Sequence, residues 1–261
     1  MIDIHTHLLP GVDDGSPSVE VSVGVLERFA AGGVELVVCT PHLDASASWN
    51  APHDKHAAIL DRLRAAAPKM PELRLGWEIM LDSPNADLRD PRLALGGSRA
   101  VLVEFPLTGA PAQAGDELIR LRKSGVVPVL AHPERYRGCS LDDVAAWREG
   151  GAVIQMDAAG LLGSDRIARL AREMLAAGYV DILSSDTHGD RRSLMAVRDW
   201  LLEAGAPEHA ALLTRDNSRR LLDDQELLPV PPLESPRGMM DRLRELVFGR
   251  RRGSRPQTQS K

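Results

Sequence analysis

Cysteine is scarce, with Cys39 and Cys139 the two thiols in 261 residues. Two thiols in a chain this long make no disulfide framework, so a cytoplasmic setting is expected. Neither starts the Cys–five residues–Arg run of a thiolate phosphatase. The position that would need arginine is Ala45 after Cys39 and Ala145 after Cys139, which sets thiolate catalysis aside. No apolar run approaches the roughly 20 residues that cross a bilayer. The start, Met1-Ile2-Asp3-Ile4, has no basic stretch ahead of an apolar one and reads as a strand rather than a signal peptide. Positive charge is not in excess either: the net charge is −5, so no nucleic-acid partner is expected.

What the chain does have is alternation. Strand-like runs lie near 2–5, 35–39, 73–79, 100–105, 127–131, 152–157 and 180–185. Helical periodicity fills 17–31, 53–67, 113–124, 141–149, 164–178 and 191–204, with Gly, Pro and Asp punctuation between. The strands are nearly continuous in apolar character, as parallel strands buried on both faces are. An α/β fold follows, a seven-stranded (β/α) barrel or, as the alternative, an open doubly wound sheet.

Candidate ligands sit where these strands end. His5 and His7 are two apart, on one side of a first strand. Later runs end in His42, Glu78, Glu104, His132, and the pair Asp186 and His188; Asp14 follows His7 in a Gly-rich turn. Function at the C-terminal ends of parallel strands is what such folds support, and a barrel makes those ends converge on one point. The nine residues comprise five imidazoles and four carboxylates. Nitrogen and oxygen donors suit Mn²⁺, Fe²⁺, Zn²⁺ or Mg²⁺ rather than a soft metal. Nine donors are too many for one ion and suit two or three. Three divalent ions bring +6 against −4, and the remaining +2 matches a dianionic phosphate monoester, which favours three.

Arg135, three residues after His132, and Arg191 or Arg192, after His188, are candidates to hold phosphate oxygens. Asp3 is read as orienting a histidine or supporting the turn, and Asp13 as structural. His53 and His56 are read as lining a loop near the site or facing solvent, His209 as facing solvent. Trp49 is either a cover for the site mouth or a surface residue.

Together the segments MIDIHTHLLPGVDDG (1–15), Thr40-Pro41-His42, Gly76-Trp77-Glu78-Ile79, Val103-Glu104-Phe105-Pro106, His132–Tyr136, Ser185–His188 and Asn217–Leu222 resemble the PHP superfamily, named for polymerase and histidinol phosphatase. Within it they are similar to the bacterial capsule and exopolysaccharide tyrosine phosphatases of the CpsB/YwqE type. The resemblance implies a distorted (β/α)7 barrel with three metal ions, usually manganese. It implies hydrolysis of phosphotyrosine on an autophosphorylated bacterial tyrosine kinase. By position it implies His5, His7, Glu104 and Asp186 on one metal; Glu78, Glu104 and His132 on a second, with Glu104 bridging; and Asp14, His42 and His188 on the third. It also puts Arg135, and with it Arg192, at the phosphate. Rival readings are a histidinol-phosphatase-like small-molecule phosphatase, an amidohydrolase or TatD-like hydrolase sharing the Asp-x-His-x-His opening, and a non-catalytic phosphotyrosine-binding module.

The resemblance ends near residue 222. Residues 1–226 are read as the PHP domain and 227–236 as a Pro-rich linker. Residues 237–261 carry eight Lys/Arg against two acids, a net +6 that leaves −11 on the preceding 236 residues. This tail is read as a solvated or amphipathic terminus that could touch a membrane surface or an acidic partner. Oligomeric state is not legible.

Overall fold

A computed structural model describes residues 1–233; the expectations for 237–261 and for the end of the Pro-rich run lie outside the described residues. The chain alternates parallel strands with helices. The strands are β1 (Ile2–Thr6), β2 (Leu36–Cys39), β3 (His42–Asp44), β4 (Glu72–Leu75), β5 (Glu78–Met80), β6 (Ala100–Glu104), β7 (Val127–Leu130), β8 (Val153–Asp157) and β9 (Ile182–Ser184). The helices are α1 (Val19–Ala31), α2 (His53–Ala66), α3 (Ala114–Lys123), α4 (Leu141–Glu149), α5 (Ala158–Leu162), α6 (Arg166–Ala176), α7 (Leu194–Glu203), α8 (Pro207–Ala211) and α9 (Asn217–Leu222). Helix starts carry their own signals: Ser18, Ser140 and Asp165 accept hydrogen bonds from first-turn backbone N–H groups.

The strands form a three-stranded sheet, β1-β2-β4, and a six-stranded sheet, β3-β5-β6-β7-β8-β9, all pairs parallel. The strand expected at 73–79 is broken in the middle, and the one expected at 35–39 is followed by a further short strand, β3. The run from 36 to 44 is interrupted at Thr40-Pro41, where proline has no N–H to give the ladder. The run from 72 to 80 is interrupted at Gly76-Trp77. There the indole is fully buried and its Nε1–H donates to the Arg92 carbonyl. Backbone bonds carry the chain across both breaks: Thr40 N donates to Thr6 O and Glu78 N to Pro41 O. Beyond β9, Asp186 N donates to His5 O and His7 N to Thr187 O, so the exit of the last strand lies against the end of β1.

Alternation along the strands divides the core in two. Ile2, Ile4, Leu36, Val38, Ala100, Leu102, Val129, Val153 and Ile182 pack with one another and with Leu95, Leu221 and Leu222. Val37, Leu73, Val101, Val103, Ile154 and Leu183 pack with helix residues such as Phe29, Leu63, Leu118 and Met174. Both faces of the strands are therefore buried, which is why their sequence is continuously apolar. Glu104 continues the Ala100–Leu102 face, and Gln155 and Asp157 continue the face of Val153.

The run after α9 lies on this body. Leu228 N donates to Asn217 Oδ1, Val230 is buried, and the Pro231 carbonyl lies 2.9 Å from His209 Nε2. His209 is thus a buried residue rather than the solvent-facing one its sequence position suggests. No helix among the described residues is long and apolar enough to cross a membrane.

Candidate metal centre

Six strands deliver the site. His5 and His7 leave β1, His42 opens β3, Glu78 opens β5, Glu104 closes β6, and His132 follows β7. Asp186 and His188 follow β9. Two of these residues have the left-handed backbone that side chains other than glycine seldom adopt: His132 at φ 34° and Asp186 at φ 46°. Such conformations cost energy and persist where surrounding bonds fix them. Here His132 N donates to Gln155 O, and Asp186 N to His5 O.

The nine sequence-predicted ligands meet in one place. They form four overlapping groups: His7, Asp14, His42 and His188; His5, Glu78 and His132; His5, His7 and Asp186; and His42, Glu78 and Glu104. Glu78 is the hub. Its Oε1 lies 2.8 Å from His132 Nε2, and its Oε2 lies 3.3 Å from His5 Nε2, 3.1 Å from His7 Nε2 and 3.1 Å from His42 Nδ1. Glu104 is more peripheral, 3.6 Å from His42 Nδ1 and 3.8 Å from His132 Nε2. Asp14 and His42 form an exposed rim, whereas His5, His7, Glu78, His132 and Asp186 are buried.

The donor chemistry fits divalent ions. His7 Nδ1 donates to Asp13 Oδ2 at 2.8 Å, and His188 Nδ1 faces the Asp186 carbonyl at 3.0 Å. Gln155 Nε2 donates to Asp157 Oδ1, which turns the amide oxygen toward His5 Nδ1 at 3.1 Å. With Nδ1–H occupied in this way, each ring keeps its Nε2 lone pair for a cation. The Nε2 atoms of His5 and His7 face each other at 3.3 Å. Two lone pairs at that distance repel unless a cation or proton lies between them.

Electrostatics agree. Burial pushes Glu78 up, but the charge of His5 and hydrogen bonds from His132, His42 and His5 outweigh it and hold the carboxyl well below the usual range. Burial pushes His5 down, but Glu78 and Asp186 raise it to about 9. Glu104 moves the other way: burial, then the neighbouring Glu78 charge, raise it. Without metal, protons neutralise this pocket; cations of higher charge can replace them.

Two guanidiniums share one carboxylate. Arg135 Nη1 donates to Asp186 Oδ2 at 2.8 Å and to Asp157 Oδ2 at 3.2 Å; Arg192 Nη1 donates to the same Asp186 oxygen at 3.0 Å. Arg191 is exposed, so it is Arg192 that the turn brings to the cluster.

Other residues fall elsewhere. Asp3 accepts from Ser185 N and so supports the 185–188 turn. Asp13, read as structural, orients His7. His56 stacks on Trp77 at 4.6 Å and His53 meets the same ring edge-on. Trp49 is 84% exposed, a surface residue. Burial pushes both thiols up to about 12, in keeping with their exclusion as nucleophiles. Gln155 and Asp157 are site residues the sequence did not announce, although Asp157 ends a strand as the other acids do.

The fold and site define a parallel α/β protein with a cluster of nitrogen and oxygen donors at its strand ends that could hold metal. The chain belongs to the family described as capsular polysaccharide synthesis, CpsB/CapC, whose model matches residues 1–223. It is 26% identical over 246 residues to tyrosine-protein phosphatase YwqE of Bacillus subtilis, covering 89% of this chain and 95% of that protein. It is 27% identical over 246 residues to tyrosine-protein phosphatase CpsB of Streptococcus pneumoniae, covering 86% and 99%. A solved structure from work on those two proteins, described there as unique metal-dependent tyrosine phosphatases, superposes with a TM-score of 0.75 at 25% identity, covering 90% of this chain and 100% of that one. A Mycobacterium tuberculosis phosphotriesterase superposes at 0.53 and 15% identity over 78% and 85%, a likeness of fold alone.

Proposed function

We propose that this protein is a metal-dependent protein-tyrosine phosphatase of capsule or exopolysaccharide synthesis, acting in the cytoplasm on an autophosphorylated tyrosine kinase. The reading is supported by the convergence of five imidazoles and four carboxylates beside two guanidiniums anchored on Asp186 Oδ2. It takes His5, His7, Asp14, His42, Glu78, Glu104, His132, Asp186 and His188 as the residues that would hold three ions, manganese by preference. It takes residues 1–226 as a distorted (β/α)7 barrel, counting β2 with β3 and β4 with β5 as single strands. Residues 227–236 then connect it to the basic segment 237–261.

When bound, the ions supply Lewis-acid pull on the phosphoryl oxygens and acidify water. The chain does the rest. Arg135 and Arg192 are about 30% exposed at their side chains, enough to meet a phosphate, while buried carboxylates fix their Nη1 ends. Their planar forks match phosphate oxygens and spread charge that develops on them. Asp13 and Gln155 hold the His7 and His5 rings so that their Nε2 atoms face the cluster. A tyrosine phenolate leaves with little assistance because its pKa is about 10.

The test is phosphate release from a phosphotyrosine peptide with and without Mn²⁺, beside a phosphoserine peptide, histidinol phosphate and single-stranded DNA. Metal-dependent release from phosphotyrosine alone is expected. Release mainly from histidinol phosphate, or cleavage of DNA, overturns the substrate assignment. Metal-tight binding of phosphotyrosine without turnover would make the protein a binding module.

A further inference from the structure

We propose that Asp157 is the positioning residue for Arg135, and that β8 is the strand that aligns the phosphate-binding arginine with the metal cluster. This rests on the reading of Arg135 as a phosphate-binding residue. Asp157 holds the segment that carries Arg135 at two points. Its Oδ2 accepts from Arg135 Nη1 at 3.2 Å, and its N–H donates to Glu134 Oε1 at 2.9 Å, next to Arg135 in sequence. Two residues earlier on the same face, Gln155 joins this grip to the ligands. Its carbonyl accepts from His132 N, its side-chain oxygen faces His5 Nδ1 at 3.1 Å, and its Nε2 donates to Asp157 Oδ1 at 3.3 Å.

A continuous set of hydrogen bonds therefore runs from His5 through Gln155 and Asp157 to Arg135. Arg135 has a second carboxylate partner, Asp186, but that group is committed elsewhere. Its Oδ1 faces His5 and His7 at 3.4 and 3.3 Å, and its Oδ2 is shared with Arg192. Asp157 belongs to none of the ligand groups. It is buried, with its side chain 7% exposed, so its geometry is set by packing and not by solvent. A long arginine side chain loses much rotamer freedom when it binds phosphate; a fixed carboxylate behind it bears that cost in advance and keeps the fork within catalytic tolerance.

The test is a double-mutant cycle in the full-length, Mn²⁺-loaded protein. Wild type, Asp157→Ala, Arg135→Ala and the double variant are compared for kcat/KM on a phosphotyrosine peptide, inhibition by inorganic phosphate, and metal content. Asp157→Ala is expected to lower kcat/KM roughly 10–100-fold, the range for groups that orient a site residue. It should weaken phosphate inhibition and leave metal content unchanged. Added to Arg135→Ala it should cost nothing further. Asp157→Asn, which retains an oxygen acceptor, should recover part of the loss, and it replaces the alanine in the cycle if that variant fails to fold. Equal losses in both backgrounds, or loss of metal with the Asp157 substitution, overturn the positioning role alone. An Arg135→Ala variant with wild-type efficiency overturns the reading of Arg135 and the proposal together.

Discussion

Replacing Glu78 by glutamine removes one charge from the centre of the cluster while keeping the side chain's size. Glu78 is 1% exposed and lies within 3.3 Å of four imidazoles. In the metal-free protein those rings can answer the loss by releasing protons, so the fold should survive above neutral pH. Bound cations have no such escape. Removing one partner of a buried ion pair costs about 3–5 kcal/mol. At about 1.4 kcal/mol per tenfold, the apparent dissociation constant for the metals should rise by roughly two to three and a half orders of magnitude. Metal content after desalting, isothermal titration with Mn²⁺, and turnover of a phosphotyrosine peptide should fall together, with circular dichroism of the metal-free protein unchanged. A Glu78→Gln protein that keeps its full metal complement and normal turnover would refute the reasoning.

Two further outcomes follow from the same geometry. His5 is raised from 6.5 to about 9, so its protonated form stabilises the metal-free fold; that contribution is complete below pH 6.5 and is lost as pH rises through 9. Thermal melts of metal-free protein should therefore show Tm falling across that window, and Mn²⁺-loaded protein should not follow; a flat metal-free profile contradicts the assignment. At Gly15 an added Cβ would lie 2.2 Å from the His7 carbonyl and 2.4 Å from His7 Cβ. Gly15→Ala should displace His7 and reduce bound metal, which elemental analysis of the purified protein measures.

Much of the site is legible in sequence because its residues sit at strand ends, where a run of β-branched residues stops and a histidine or acid begins. His5, His7, Glu104 and His132 are visible for that reason alone. Gln155 and Asp157 are not, because their partners are His5 and Arg135, which lie 150 and 22 residues away in sequence. Asp13 looks like one of several turn acids until its contact with His7 Nδ1 is seen. The break at Gly76-Trp77 escapes the strand reading because the run 73–79 has no polar interruption there, whereas the strand expected at 35–39 stops before Thr40-Pro41 and it is the short β3 beyond that the sequence does not announce. His209 looks like a polar residue on a short helix, and only the packing of Pro231 against it explains its burial. The placement of the two glutamates is likewise a tertiary fact: Glu78 lies within 3.3 Å of four imidazoles, and Glu104 lies 3.6 Å and 3.8 Å from His42 and His132.

The central claim is that bound metal makes this chain a phosphotyrosine hydrolase. It is tested most directly by stripping the purified protein with a chelator and restoring Mn²⁺ stepwise, reading bound ions and phosphotyrosine-peptide turnover on the same samples. The account predicts no turnover in the stripped protein, recovery as ions return, and a plateau at three bound ions per chain. Full turnover in the metal-free protein would contradict it.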